Sequence, residues 1–181
     1  MAATTHLMTV EEFLSLPEDR GETYHELHHG ELITLTRPTM KHWFIQRNLT
    51  ELLKPLIEPG SCIGMELAFR PAPEHEIWAA DVACLSLERS QRIDPEKHIQ
   101  GAPDLVIEVL SPSNTADEIY DKEQTCLANG SREFWVVNPK RRCVKITTSD
   151  GRTQTYETGQ RLPLPLFGPN AHLDVDDIFR Y

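Results

Sequence analysis

Two carboxylates stand where the surrounding residues call for apolar side chains. Glu108 interrupts the run Leu105, Val106, Ile107, Val109, Leu110 in APDLVIEVLSPS, and Asp81 lies inside WAADVACL. Successive strand residues face opposite sides of a sheet, so Val106, Glu108 and Leu110 share one face and Leu105, Ile107 and Val109 the other. An unpaired carboxylate in such a strand costs several kcal/mol of desolvation, or stays protonated, unless a cation or donors answer it. A buried salt bridge to an Arg or Lys such as Arg132 is one answer, and a divalent metal is the other. Asp81 tilts the balance toward metal, because two acids on neighbouring strands can converge on a hard cation such as Mg²⁺, which prefers oxygen ligands. Asp104 is a poorer partner for Glu108: four residues along one strand separate them by roughly 13 Å.

The elements that must position these acids follow from periodicity and end signals. MTVEEFLSLP predicts a short helix with Thr9 and Glu12 as a capping box and Pro17 as its stop. YHELHHGELITLT predicts a hairpin turning near Gly30. From Met40 to Glu58, Ile45, Leu49, Leu52, Leu53 and Leu56 recur at helical spacing, Thr39 can cap the start, and Pro55 is expected to bend the last turn. SCIGMELAFRP and EIWAADVACLS predict two strands joined through PAPEHE, and the opening stretch is a third. A helix then begins at the capping box Thr115–Glu118 and closes at Gly130. REFWVVNP, CVKITTS and RTQTYET complete the strands, with Asp150-Gly151 as a hairpin turn. LPLPLFGPN is expected to cross the surface as a loop. The order helix, strands, helix, strands predicts an α/β (α+β) fold, a sheet with helices packed on it, formed as one domain over 1–181.

Charge and cysteine usage narrow the function. A formal net charge of −10 argues against nonspecific coating of nucleic acid, yet leaves room for local basic surfaces at Lys140, Arg141, Arg142 and Lys145, or at Lys41, Arg47 and Lys54. Cys62, Cys84, Cys126 and Cys143 form no C-x-x-C pair, so they read as reduced side chains. With no signal-like start and no apolar span, the expected location is cytoplasmic and off the membrane.

YHELHHGEL, ADVACLS, GAPDLVIEVLSPS, DKEQTCLANGSREFWVVNP and LPLPLFGPNAHLDVDDIF, in this order and spacing, resemble the Uma family of putative restriction endonucleases, a branch of the PD-(D/E)XK nuclease superfamily. The resemblance implies a restriction endonuclease-like mixed sheet with added N-terminal and C-terminal β-hairpins. It implies Asp81 as the first acid and Glu108 as the acid of the (D/E)XK element, both metal ligands. The usual lysine position holds Leu110, and the family pattern matches Lys122 on the following helix instead. Helical geometry supports that assignment: Ile119, Cys126 and Leu127 make the apolar face, and Lys122 falls at its margin. Glu123 projects near the middle of that face, toward Lys122's surroundings or an arginine. Glu66, His42, Glu26 and Glu31 match regions where the family carries accessory ligands, although a capping or surface role suits His42, and a hairpin-surface role Glu26 and Glu31, as well. Two departures stand out: Ala80 replaces the proline before the first acid, and Cys126 replaces a tyrosine one turn after the lysine.

The function these residues imply is metal-dependent endonuclease hydrolysis of phosphodiester bonds, with Mg²⁺ or Mn²⁺ as cofactor, DNA as the expected substrate and a homodimer as the expected assembly. The alternative is a catalytically inactive nuclease-fold binding or regulatory module. A hydrolase of smaller phosphoesters shares the same residues.

Overall fold

A computed structural model of the protein describes residues 6–17, 23–72 and 74–181. The chain opens with α1 (Val10–Leu14), whose Thr9–Glu12 capping box forms in both directions and which ends before Pro17. β1 (Thr23–His28) and β2 (Glu31–Thr36) make the expected hairpin, with Gly30 in the left-handed region at φ +76°. There a side chain is doubly excluded, because a Cβ would also meet Leu7 Cβ at 2.7 Å. α2 (Met40–Leu53) starts at the Thr39 cap and stops at Lys54. Pro55 thus ends this helix rather than bending it, since the ring tolerates no further turn behind it.

β3 (Cys62–Arg70) and β4 (Trp78–Leu85) pair antiparallel, followed by α3 (Leu87–Ser90), β5 (Ile99–Gln100) and the buried β6 (Leu105–Val109). α4 (Ala116–Ala128) carries its own Thr115–Glu118 capping box and crosses to β7 (Glu133–Asn138), which lies parallel to β6. β8 (Cys143–Thr148) and β9 (Thr153–Glu157) then add antiparallel strands, turning at Gly151. The seven-stranded mixed sheet runs in the order β5-β3-β4-β6-β7-β8-β9.

α2 and α4 define its two sides. Ile45, Leu49 and Leu53 of α2 pack on Val82, Leu105, Ile107, Val109 and Trp135, whereas Cys126 of α4 packs with Trp78, Ala80, Val106 and Phe134. The segment read as a surface loop belongs to the first core. β10 (Arg161–Pro163) and β11 (His172–Asp174) pair as a hairpin, α5 (Val175–Ile178) follows, and Leu162, Leu164, Val175 and Ile178 are wholly buried under α2. Its prolines break periodicity and conceal an alternating Leu pattern, and each such leucine contributes roughly 1.5–3 kcal/mol by burial. No disulfide forms: all four cysteines are free, and burial pushes the Cys84 thiol up to about 12.

Candidate functional site

The strand registers bring three acids into one row. Met65 pairs with Val82 and Leu67 with Ala80, which sets Glu66 opposite Asp81. Val82 pairs with Ile107, which sets Asp81 opposite Glu108. Glu66, Asp81 and Glu108 therefore stand side by side on β3, β4 and β6. The strands change faces at this row: Ile63 and Met65 pack with Val82 and Cys84 beneath α2, but Leu67 and Phe69 pack with Ala80 and Trp78 beneath α4. Glu66 absorbs the rotation with φ +53°, a left-handed conformation that costs a non-glycine residue on the order of 1 kcal/mol.

α2 holds the first half of the site. Asp81 Oδ1 accepts from Gln46 Nε2 at 2.9 Å, and Oδ2 accepts from the Val109 backbone N–H at 2.6 Å. Gln46 Nε2 also donates to Glu66, so one amide tethers two acids. His42 Nε2 donates to the Val109 carbonyl at 2.8 Å and lies 3.2 Å from Asp81 Oδ2. Burial works against a charge on His42, but Asp81 outweighs it and raises the imidazole above its ordinary range. Glu66 is also raised, chiefly by burial, with Gln46 pulling the other way.

α4 holds the second half. Lys122 Nζ donates to the Ala79 carbonyl at 2.7 Å and sits 3.0 Å from Glu108 Oε1. At that distance Lys122 is the cation that answers Glu108. Burial pushes Glu108 up to about 8; Lys122 opposes this, while Asp81 and Glu26 reinforce it. Burial disfavours the charge on Lys122, but Glu108, Glu26 and Asp81 more than reverse that and hold its proton well above the usual range.

These groups line a cleft of about 710 Å³ roofed by the β1–β2 hairpin, with Arg37, Lys41 and Lys140 on its walls. The expected residues divide clearly. Asp81, Glu108, Lys122, Glu66, His42 and Glu26 all line it, and Glu26 is buried with its carboxylate 2.7 Å from His28 Nε2. Glu31 does not; it is exposed at the hairpin end. Arg132 is exposed and does not answer Glu108, a task Lys122 performs. Glu123 turns away from the cleft and pairs with Lys145 at 2.7 Å, not with an arginine. Asp104 serves the fold, accepting from the Ser86 N–H. Gln46 was missed by sequence reasoning; its signal is a polar residue one turn after His42, on the same helix face and next to Ile45.

Among the described residues no cluster of three His, Cys, Asp or Glu groups forms a ready metal cage. The donor set nevertheless fits Mg²⁺ or Mn²⁺, since Mg²⁺ is commonly held by one or two carboxylates together with waters and phosphate oxygens. Asp81 and Glu108 supply two such carboxylates, and Glu108 Oε1 is buried without a directed donor.

A family model described as "Uma2: Putative restriction endonuclease" matches residues 10–176. The crystal structure of a putative nuclease belonging to DUF820 from Anabaena variabilis ATCC 29413 is similar at TM-score 0.79 and 25% identity, covering 95% of this chain and 97% of that one. No curated protein matches.

Proposed function

The chain belongs to the Uma2 family of putative restriction endonucleases, and from that premise we propose that it is a metal-dependent endonuclease hydrolysing phosphodiester bonds of nucleic acid, with DNA as its substrate. One observation carries this reading: Asp81 and Glu108 lie opposite each other on adjacent strands, inside a cleft, with Lys122 3.0 Å from Glu108.

Asp81 and Glu108 would hold Mg²⁺ or Mn²⁺, with Glu66 as an accessory ligand. When bound, the ion supplies Lewis-acid stabilisation of the phosphate and lowers the pKa of a water. Gln46 and the Val109 N–H fix the Asp81 carboxylate, so its geometry is prepared before substrate arrives. Lys122 keeps its proton, so its role is to orient the attacking water and to stabilise charge on the pentavalent phosphate rather than to accept a proton. The Ala79 carbonyl anchors the ammonium on the sheet side.

Purified protein incubated with plasmid, single-stranded DNA and RNA, with Mg²⁺ or Mn²⁺, tests the reading against Asp81→Ala and Lys122→Ala. Metal-dependent cleavage that both substitutions abolish supports it. Cleavage undiminished in both sinks the site assignment, and no cleavage of any substrate favours a binding or regulatory module. Among the described residues no helix is long and apolar enough to cross a membrane.

A further inference from the structure

α2 shows three faces. Ile45, Leu49 and Leu53 enter the core, and His42 and Gln46 reach the acids. The third face carries Met40, Trp43, Phe44 and Arg47, so three large apolar side chains stand where a surface helix ordinarily carries charged and polar residues. Trp43 is 37% exposed and Met40 64%. Tyr181, 59% exposed, joins them with its ring 6.5 Å from Phe44 and nearly parallel at 19°. The placement of Tyr181 is built, since the buried Asn48 amide donates to the Ile178 and Arg180 carbonyls at 3.1 and 2.6 Å.

Cations sit on these rings. The Arg47 guanidinium lies 4.9 Å from the Phe44 centroid and 5.4 Å from Trp43, and Lys41 Nζ lies 5.6 Å from Tyr181. In a chain of net charge −10 this is a local concentration of cation and aromatic surface. Lys41 also lines the catalytic cleft, so the patch continues the site rather than standing apart from it.

Exposed aromatic rings interleaved with Lys and Arg suit unpaired nucleic acid: bases stack on the rings and the cations meet the backbone. Paired bases in the interior of a duplex offer no free faces for such stacking. We propose that Trp43, Phe44 and Tyr181, with Lys41 and Arg47, form a platform that binds a single-stranded segment of nucleic acid and leads it into the cleft. This rests on the nuclease reading and adds a substrate class: strands that are unpaired beside the scissile phosphate.

Fluorescence anisotropy in EDTA, where no metal-dependent cleavage proceeds, measures binding of labelled oligo-dT and of a blunt duplex of equal length. The expected result is oligo-dT bound at least about tenfold tighter than duplex, with Trp43→Ala and Tyr181→Ala each weakening oligo-dT by roughly tenfold. Trp43→Phe keeps a stacking face and should stay within about threefold of wild type. Equal affinity for duplex, or unchanged oligo-dT affinity in Trp43→Ala, overturns the platform. A Trp43→Ala effect seen only as a change of self-association in sedimentation overturns it too, and assigns the patch to a second copy of the chain. Plasmid cleavage that persists while the platform fails leaves the nuclease reading standing; stacking-dependent oligo-dT binding without any cleavage supports the platform and sinks that reading.

Discussion

Consecutive positions of α4 carry two buried ion pairs that look alike and behave differently. Lys122 meets Glu108 at 3.0 Å, both side chains 11% exposed, while Glu123 meets Lys145 at 2.7 Å on the far side of the helix. Glu123 also accepts from the Thr147 hydroxyl at 3.1 Å, so one carboxylate has a cation and a donor and no acid crowding it. Glu108 has Asp81 opposite it and Glu26 nearby, and its Oε1 has no directed donor. The Glu123–Lys145 pair is satisfied within the protein. The Glu108–Lys122 pair has more negative charge around it than one lysine answers, which is the condition a further cation relieves. Burial and pairing alone do not mark a site; an unbalanced surplus of acid does.

The largest test of this contrast is catalytic. Glu108→Gln and Lys122→Ala should each lower cleavage about 100-fold or more, the usual scale for losing one group that stabilises transition-state charge. Glu123→Gln should leave the cleavage rate within about twofold. A comparable loss in all three variants would mean that α4 acts only as a scaffold.

Next is the coupling of cation and proton. Because Glu108 is held at about 8, above its ordinary 4.5, a proton must leave it when a divalent cation binds. Mg²⁺ affinity measured by calorimetry should rise with pH up to about 8, by up to about tenfold per unit, and level off above it. Without added cation the sign is opposite for stability: the folded protein retains a proton that the unfolded chain releases, so this group's contribution falls as pH rises from 4.5 to about 8. Glu108→Gln should flatten both slopes.

The satisfied pair should break differently. Lys145→Ala leaves Glu123 buried with Thr147 as its remaining donor, and because Lys145 is itself 38% exposed the loss is discounted to roughly 1–2 kcal/mol. Calorimetry should then show a melting temperature lower by roughly 2–8 °C, with cleavage at low temperature retained. A lower cleavage rate with no change in melting would invert the roles of the two pairs.

What could be read from the chain divides along the same lines. Asp81 and Glu108 announce themselves because a carboxylate inside an apolar strand must be answered, and both capping boxes do so because their spacing is local. Lys122 needed the family pattern, since a helix lysine at the edge of an apolar face is equally at home in water. Gln46 and the partner of Glu123 depend on which strand lies beside which, a matter of register that no local spacing encodes. The rotation at Glu66 was hidden for the same reason: CIGMELAFR reads as an ordinary strand, and the left-handed residue becomes visible only when the two cores claim opposite parities on either side of it. The buried leucines around Pro163 and Pro165 were masked by prolines that promise a loop.

Asp121, preceding Lys122, makes a third pair on α4 and offers the mildest test. His29 Nε2 meets Asp121 Oδ2 at 2.8 Å while Nδ1 meets Glu76 Oε1 at 2.8 Å, so one imidazole ties the hairpin turn to α4 and to the strand entrance before β4. The Asp121 hydrogen bond raises this imidazole above its ordinary 6.5, burial opposes it, and Glu76 adds to the rise. Trp78 closes the remaining side edge-on at 6.0 Å. The clamp is therefore complete below pH 6.5 and loosens as pH rises through the raised value. With the His29 side chain 56% exposed, water and salt screen both contacts, and the melting temperature should move by only roughly 1–2 °C across that range. His29→Gln should remove the movement, and high salt should shrink it in wild type. Identical pH profiles for wild type and variant would leave α4 anchored by its two buried pairs alone, with the exposed pair contributing nothing to where Lys122 sits.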